Sequence, residues 1–353
     1  MHPSNGEAWK HFNSVHPHFS AESRNVRLGL CTNGFNPFGS FAAPYSYWPV
    51  ILTVYNLPSG MCMRSEFMFL SMVIPGPSSP RRNIDVCLRP LIDELTQLWS
   101  SRALTYDISR KQNFFMRAAL MWTINDFSAY GMVSGWSMHG KLACPYCMEN
   151  NKAFTLTNEG KALFFYCHCR FLPLNHRYRK NRNNFFVGRV EKNVAHPRLF
   201  GKELHDIVSE YGDIVFGLQS GKQKFPGFGL THNWVKRSIF RELPYWKTNL
   251  LRHNLDVIHI EKNVFENIFN TVMDVKGKTK DNIKARLDIT LFCNHKNIEL
   301  VCDGSWVAKS RASFVLEKNA QLLVYKWLKS LCFPDGHVSN ISKLVNMDEH
   351  SFH

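Results

Sequence analysis

The apolar residues of this chain fall into runs whose period changes from one stretch to the next. Residues 27–32 form a short apolar run closed by Asn33. Gly34, Asn36, Pro37 and Gly39 follow as breakers, a pattern that predicts a strand with a sharp exit. Residues 47–57, rich in β-branched and aromatic side chains, predict a second strand. Residues 67–74 predict a third, ended by Pro75-Gly76-Pro77. From 84 to 99 the period lengthens: Ile84, Leu88, Leu91, Ile92, Leu95 and Leu98 recur at helical spacing, with Asn83 placed to cap the helix. The run 114–124 then leads into Asn125-Asp126, and at least its second half reads as a strand.

From about Gly131 to Pro244 the periodicity gives way to cysteines, histidines, basic residues and glycines, the composition of an inserted module. Order returns near Leu243. Ile258, Val264, Phe265, Ile268 and Phe269 trace an apolar helix stripe, and Glu261 interrupts it three residues from both Ile258 and Val264. An acid buried in such a stripe needs a cation or a basic partner, because burying an unpaired charge is costly; the stripe fits either. A further helix is expected at 315–331, ended by Pro334-Asp335-Gly336. The chain therefore divides into the first part of a core (1–130), a Cys/His-rich basic insertion (131–243), the rest of the core with the Glu261 helix (244–300) and a C-terminal helical segment (301–353).

Strand, strand, strand, helix, strand, with polar groups closing the first and fourth strands, is the ribonuclease-H-like order within the α/β class. In that order the first and fourth strands are neighbours, which would bring Asn33 and Asp126 together. A generic α/β sheet in which Asp126 merely caps a helix or turn fits the same pattern and stays open.

Composition narrows the classes. With 353 residues, 44% of them hydrophobic and 13% aromatic, the chain has ample material for a packed core, which argues against disorder. No apolar run reaches the ~18 residues of a membrane span; residues 41–57 come nearest, and Pro44 and Pro49 break them. The first residues lack the basic-then-apolar pattern of a secretory signal. A formal charge of +15, with sixteen histidines in addition, points to a polyanion partner, most simply nucleic acid. Ten cysteines without a secretory signal argue against a disulfide framework. Cys31, Cys62, Cys87 and Cys332, each alone in an apolar run, read most simply as buried thiols.

Cys144-Pro-Tyr-Cys147 is different. With His168 and His176 downstream it offers two thiolates and two imidazoles, the donor set of structural zinc. Cys167 and Cys169 compete as ligands, and incidental cysteines are the alternative. Residues 175–189 are basic and interleaved with aromatics. Arg177, Arg179, Lys180, Arg182 and Arg189 can neutralise phosphates there, unless the stretch is a solvated loop. Lys278 and Lys280 lie in a second basic stretch. Gly277-Lys278-Thr279 lacks the preceding glycine and strand of a phosphate loop, which excludes nucleotide binding of that kind. Ser59-Gly60 and Ser134-Gly135 lack the context of a nucleophile elbow, and no GxGxxG occurs.

Taken together, the stretches RNVRLGLCTNGFNPFG, IPGPSSPRRNIDVCLRPLIDELTQLW, MWTINDFSAYGMVSGWSMHGKLACPYC, HCRFLPLNH, RSIFRELPYW, RHNLDVIHIEKNV and GKTKDNIKARLD resemble the transposases of plant CACTA-type (En/Spm-like) DNA transposons. They run in family order from near residue 2 to about 345. The resemblance implies a ribonuclease-H-like core of the DDE type with a Cys/His insertion. It implies Mg²⁺ or Mn²⁺ at an acidic triad, zinc in the insertion, transposon terminal repeats as the DNA partner, a nuclear location, no membrane, and action as a multimer. The first family acid falls on Asn33, the second on Asp126 and the third on Glu261; Cys144, Cys147, His168 and His176 fall on the ligand positions of the insertion. Cys167 and Cys169 replace the glycine and arginine that usually flank that histidine. The chain also reads as a fragment that begins near the middle of a typical family member and stops short of its end.

Asn33 departs from the pattern. An amide there keeps the shape of the acid and removes its charge, so the expectation is a transposase-like protein of impaired catalysis, whose status as an enzyme is open. The alternatives are a non-catalytic or domesticated DNA-binding protein and a relic without function.

Overall fold

The structure is a computed structural model that describes residues 2–38, 45–160, 163–164, 166–180, 190–197, 199–211, 226–292, 298, 300–304, 306–332, 342, 345–346 and 351–352. Arg182, Arg189 and Pro334-Asp335-Gly336 lie outside the described residues, as does the side chain of Cys167. The chain forms two compact units. One comprises Met1–Ala153 and Ala195–Ile260, the other Phe154–Val194 and Glu261–His353.

The first unit opens with helices α1 (Glu7–Val15) and α2 (Pro17–Ser20), whose Trp9, Phe12 and Phe19 are buried. Strands β1 (Val26–Thr32), β2 (Trp48–Val54) and β3 (Met68–Ile74) follow, then helix α3 (Ile84–Ser100). Next come a hairpin of β4 (Ala103–Asp107) and β5 (Gln112–Met116), strand β6 (Ala118–Asn125) and helix α4 (Phe127–Ser134). The chain leaves this unit for β7 (Phe154–Thr155), β8 (Leu163–Phe164) and α5 (Arg177–Lys180). It returns in α6 (Gly201–Ser209) and β9 (His253–Leu255).

Five strands make one mixed sheet in the order β3-β2-β1-β6-β9. β1 and β2 are antiparallel, as are β2 and β3. β1 and β6 are parallel with Leu30 opposite Thr123, and β6 and β9 are parallel with Thr123 opposite His253. The fold is therefore α/β. β1 is covered on both faces, which its nearly continuous apolar run requires. Gly29 in its middle is needed for close approach: a Cβ there would lie 2.1 Å from the Tyr55 hydroxyl oxygen. Tyr55 in turn accepts a hydrogen bond from the Trp122 indole at 3.2 Å. The helical residues Ile84, Leu88, Leu91, Ile92 and Leu95 of α3 are buried in the same core as Leu28, Leu30 and Leu120.

The second half of the run 114–124 is a strand as expected, β6, and the run divides at Arg117, whose N–H donates to the Asn25 side chain at 2.7 Å and whose carbonyl accepts from Val26 N–H at 2.8 Å. Three local expectations are corrected. Asn83 makes no side-chain cap, because the 3₁₀ turn Arg81–Asn83 feeds directly into α3 and already holds its backbone at φ −77°, ψ 0°. Cys332 is exposed, because it lies beyond the end of the helix Lys318–Ser330. The third concerns α7 (Val257–Val272), which contains no buried residue: Ile258, Val264, Phe265 and Ile268 are all exposed. The cost of burying Glu261 in an apolar stripe therefore does not arise.

The second unit takes α7 from Glu261 onward, together with α8 (Ile283–Phe292), the hairpin β10 (Leu300–Asp303) and β11 (Trp306–Lys309), and α9 (Lys318–Ser330). Met273, Tyr325, Leu328 and Val345 form its apolar cluster. Two buried acids organise its loops. Asp281 takes Arg286 in a two-pronged pair at 2.7 and 2.8 Å, and Asp288 accepts the backbone N–H groups of Asn158 and Glu159 at 2.8 and 3.0 Å.

Candidate functional site

Three parallel neighbours, β1, β6 and β9, end at one edge of the sheet, and each is followed by a polar residue. Asn33 follows β1 and is exposed. Extending the β1–β6 register by three residues places Asn33 level with Asp126. One step earlier the two strands are tied by side chain, since Thr32 N–H donates to Asn125 Oδ1 at 3.0 Å.

Asp126 is the N-cap of α4. Its carboxylate accepts Ala129 N–H at 2.7 Å, and its own carbonyl accepts Tyr130 N–H at 2.8 Å. Such a cap uses one carboxylate oxygen on an otherwise orphaned helix N–H and leaves the other.

Asp256 completes the edge and was not singled out from the sequence. It follows β9, its N–H donates to the Asn125 carbonyl at 2.8 Å, and its Oδ1 accepts Ile258 N–H at 3.0 Å as α7 begins. The Asp256 charge is felt at Cys31 in β1, whose thiol is pushed up first by burial and then by that carboxylate. The available signal was the pairing of Asn125-Asp126-Phe127 with Asn254-Leu255-Asp256-Val257, each a polar close to a strand followed by a helix. β9 is three residues long, too short for alternation to mark it. Glu261 belongs to the second unit, where it is exposed on α7.

Cys144 and Cys147 form a tight knuckle in the first unit: Cys147 N–H lies 3.4 Å from the Cys144 sulfur, and Met148 N–H donates to the Cys144 carbonyl at 2.9 Å. Cys144 and Cys147 offer two sulfur donors of the kind that hold a metal ion. His168 and His176 belong to the second unit, where His176 Nδ1 accepts Tyr178 N–H at 3.3 Å.

The basic stretch is less uniform than its sequence. Arg179 is buried and clamps backbone, donating to the Arg170, Leu172 and Asn193 carbonyls at 2.8, 2.9 and 2.6 Å. Arg177 and Lys180 are exposed, with the Arg177 guanidinium 4.9 Å from the Tyr178 ring centre. Lys278 and Lys280 are exposed around the turn at Gly277, whose φ of 78° suits glycine.

The class of protein to which the chain belongs is that of the transposases. The chain belongs to the transposase family tnp2, whose family model matches residues 1–211. The match takes in Asn33, Asp126, Cys144, Cys147, His168 and His176. No curated protein sequence matches the chain. Among the described residues no helix is long and apolar enough to cross a membrane.

Proposed function

We propose that this chain is a DNA strand-transfer protein of CACTA (En/Spm-like) plant ancestry, with a ribonuclease-H-like core and an impaired metal site at the carboxyl edge of β1, β6 and β9. The observation that carries the reading is the placing of Asn33, Asp126 and Asp256 after three adjacent parallel strands. The order β3-β2-β1-β6-β9, antiparallel on one side of β1 and parallel on the other, supports the ribonuclease-H-like assignment.

Asp126 and Asp256 fit a divalent ion, Mg²⁺ or Mn²⁺: each spends one hydrogen bond on a helix N-terminus and keeps oxygen capacity beyond it. When bound, such ions supply activation of a water or 3′-hydroxyl and stabilisation of the leaving oxygen of a DNA phosphate. Asn33 fits them poorly, because an amide offers one neutral oxygen where a carboxylate offers two charged ones. The loss of roughly 3–4 kcal/mol of transition-state stabilisation slows a step by about two to three orders of magnitude. Asp256 competes with Glu261 for the third acidic place.

The test is cleavage of terminal-repeat DNA with Mg²⁺ or Mn²⁺ by the wild-type chain and by Asn33→Asp. The revertant should cut at least a hundredfold faster. Equal cutting by the wild type sinks the impairment, and a revertant that cuts with neither ion sinks the metal site. In the revertant background, Asp256→Asn and Glu261→Gln identify the third acid by which one abolishes cutting.

Asn33 itself favours a second reading, a protein that binds DNA without cutting it. Salt-sensitive DNA binding by a chain whose revertant stays inert would select it. Both readings carry a nuclear location, action as a multimer and zinc in the Cys/His insertion. One zinc per purified chain, lost in Cys147→Ser, is the expected metal content; the DNA contacts fall to Arg177, Lys180, Lys278 and Lys280.

A further inference from the structure

The first unit holds a cavity of about 120 Å³ away from the acidic edge, with Tyr130, Ser134, Ser238, Arg241, Arg252 and His253 in its wall. Arg252 immediately precedes β9 and Asp256 immediately follows it. The three residues of β9, four steps of extended chain or about 13 Å, therefore separate the cavity's arginine from the edge's acid.

The two guanidiniums are held with little compensation. Arg241 donates to the His205 carbonyl at 2.7 Å and to the Ser209 hydroxyl at 3.0 Å, while its Nε is buried without a hydrogen-bond partner. Among the described residues the Arg252 side chain makes one hydrogen bond, a long 3.5 Å contact to the Gly201 carbonyl. Among the described residues neither arginine has a carboxylate within ion-pair distance. Burial pulls both down to about 10, and Arg241 is lowered further by the charges of Arg237 and Arg252, with Asp206 opposing. Both stay positive at neutral pH.

Two like charges facing one cavity repel each other and cost desolvation, and an anion between them offsets both terms. The hydroxyls of Tyr130, Ser134 and Ser238 lie in the same wall, which is otherwise largely apolar, with Leu204, Val208 and Trp246 among its residues. Tyr130 is pushed up to about 12 by burial and so keeps its proton. Planar guanidiniums, hydroxyls and a cavity of this size suit a tetrahedral oxyanion with a water or two.

We propose that the cavity between Arg241 and Arg252 is a binding site for a phosphate group, supplied either by a DNA phosphodiester or by a free or terminal phosphate. The site stands on its own geometry and does not depend on cleavage at the acidic edge.

Calorimetric titration of the full chain with inorganic phosphate should give saturable binding at one site. Arg241→Gln and Arg252→Gln should each weaken it at least tenfold, and Arg252→Lys should weaken it less. No saturable binding, or affinity unchanged in both glutamine variants, overturns the proposal. Should those variants fail to fold, phenylglyoxal labelling of the wild type read by peptide mapping decides. Phosphate should slow the labelling of Arg252 while leaving Arg177 unaffected; equal labelling with and without phosphate overturns the site. Competition then names the source. Displacement by a 5′-phosphorylated oligonucleotide alone assigns a terminal phosphate, and equal displacement by its 5′-hydroxyl counterpart assigns the backbone. Failure here would leave the Asn33→Asp cleavage comparison untouched.

Discussion

The amide of Asn125 ties the end of β6 to the end of β1, accepting Thr32 N–H at 3.0 Å while donating to the Thr123 hydroxyl at 2.9 Å. Thr32 and Asn125 each stand one residue before a member of the edge pair, Asn33 and Asp126. The bond therefore fixes the level at which those two emerge. Asn125 is buried, so Asn125→Ala leaves the Thr32 N–H unpaired, at a cost of about 1–3 kcal/mol for that group beyond the lost bonds. Urea unfolding should show the loss, and a midpoint equal to the wild type would refute this account of the edge.

The parts of this fold that repeat with a local period could be read from the chain. β1, β2 and β3 fall in the apolar and β-branched runs that predicted them, and α3 on its helical spacing, although β3 keeps Phe69, Leu70 and Val73 exposed. Residues whose environment is made by distant chain could not be read so. Arg179 lies two residues from Arg177 in the same basic stretch, yet it is buried because the carbonyls of Arg170, Leu172 and Asn193 converge on it. Asp256 gains its place from pairing with β6, and Arg241 and Arg252 gain theirs from the cavity they share. The stripe on α7 is the converse case: a helical period without burial, which a hydrophobic pattern alone cannot distinguish from a core face.

Gly29 is predicted to be intolerant of any side chain. An added Cβ would meet the Tyr55 ring at 2.1 to 2.5 Å, inside a strand buried on both faces. Overpacking of this kind costs about 1–3 kcal/mol or more. Gly29→Ala should lower the thermal midpoint, and Tyr55→Leu added to it should cost less than Tyr55→Leu does in the wild type. Strict additivity of the two changes would show that the ring is not the obstacle.

Lys236 and Asp85 form a buried ion pair between the loop before the 3₁₀ turn Ile239–Glu242 and the first turn of α3. Burial pushes the carboxyl of Asp85 up and the ammonium of Lys236 down, each against the pull of its partner. Removing one member strands the other. Asp85→Asn should cost about 3–5 kcal/mol in chemical denaturation, and the double change Asp85→Leu with Lys236→Met should cost clearly less. A double variant as unstable as the single one would show that shape rather than charge sets the cost.

His253 makes stability depend on pH in a direction that can be worked out. Its ring lies 2.9 Å from the Thr123 hydroxyl, and burial, then the charges of Arg252 and Lys236, hold it well below the ordinary imidazole value of 6.5. The folded state therefore binds fewer protons than the unfolded state once pH falls below about 6.5. Stability must drop as pH falls through that window and level off only at the folded value. The slope from this one ring is at most about 1.4 kcal/mol per pH unit. His16 and His205, both lowered chiefly by burial, add to it with the same sign. Unfolding free energies between pH 7.5 and 5.5 should decline for the wild type, and His253→Asn should show a shallower decline over the same range. Equal slopes in the two proteins would mean that His253 titrates in the fold as it does in the unfolded chain, so that burial does not hold its ring neutral.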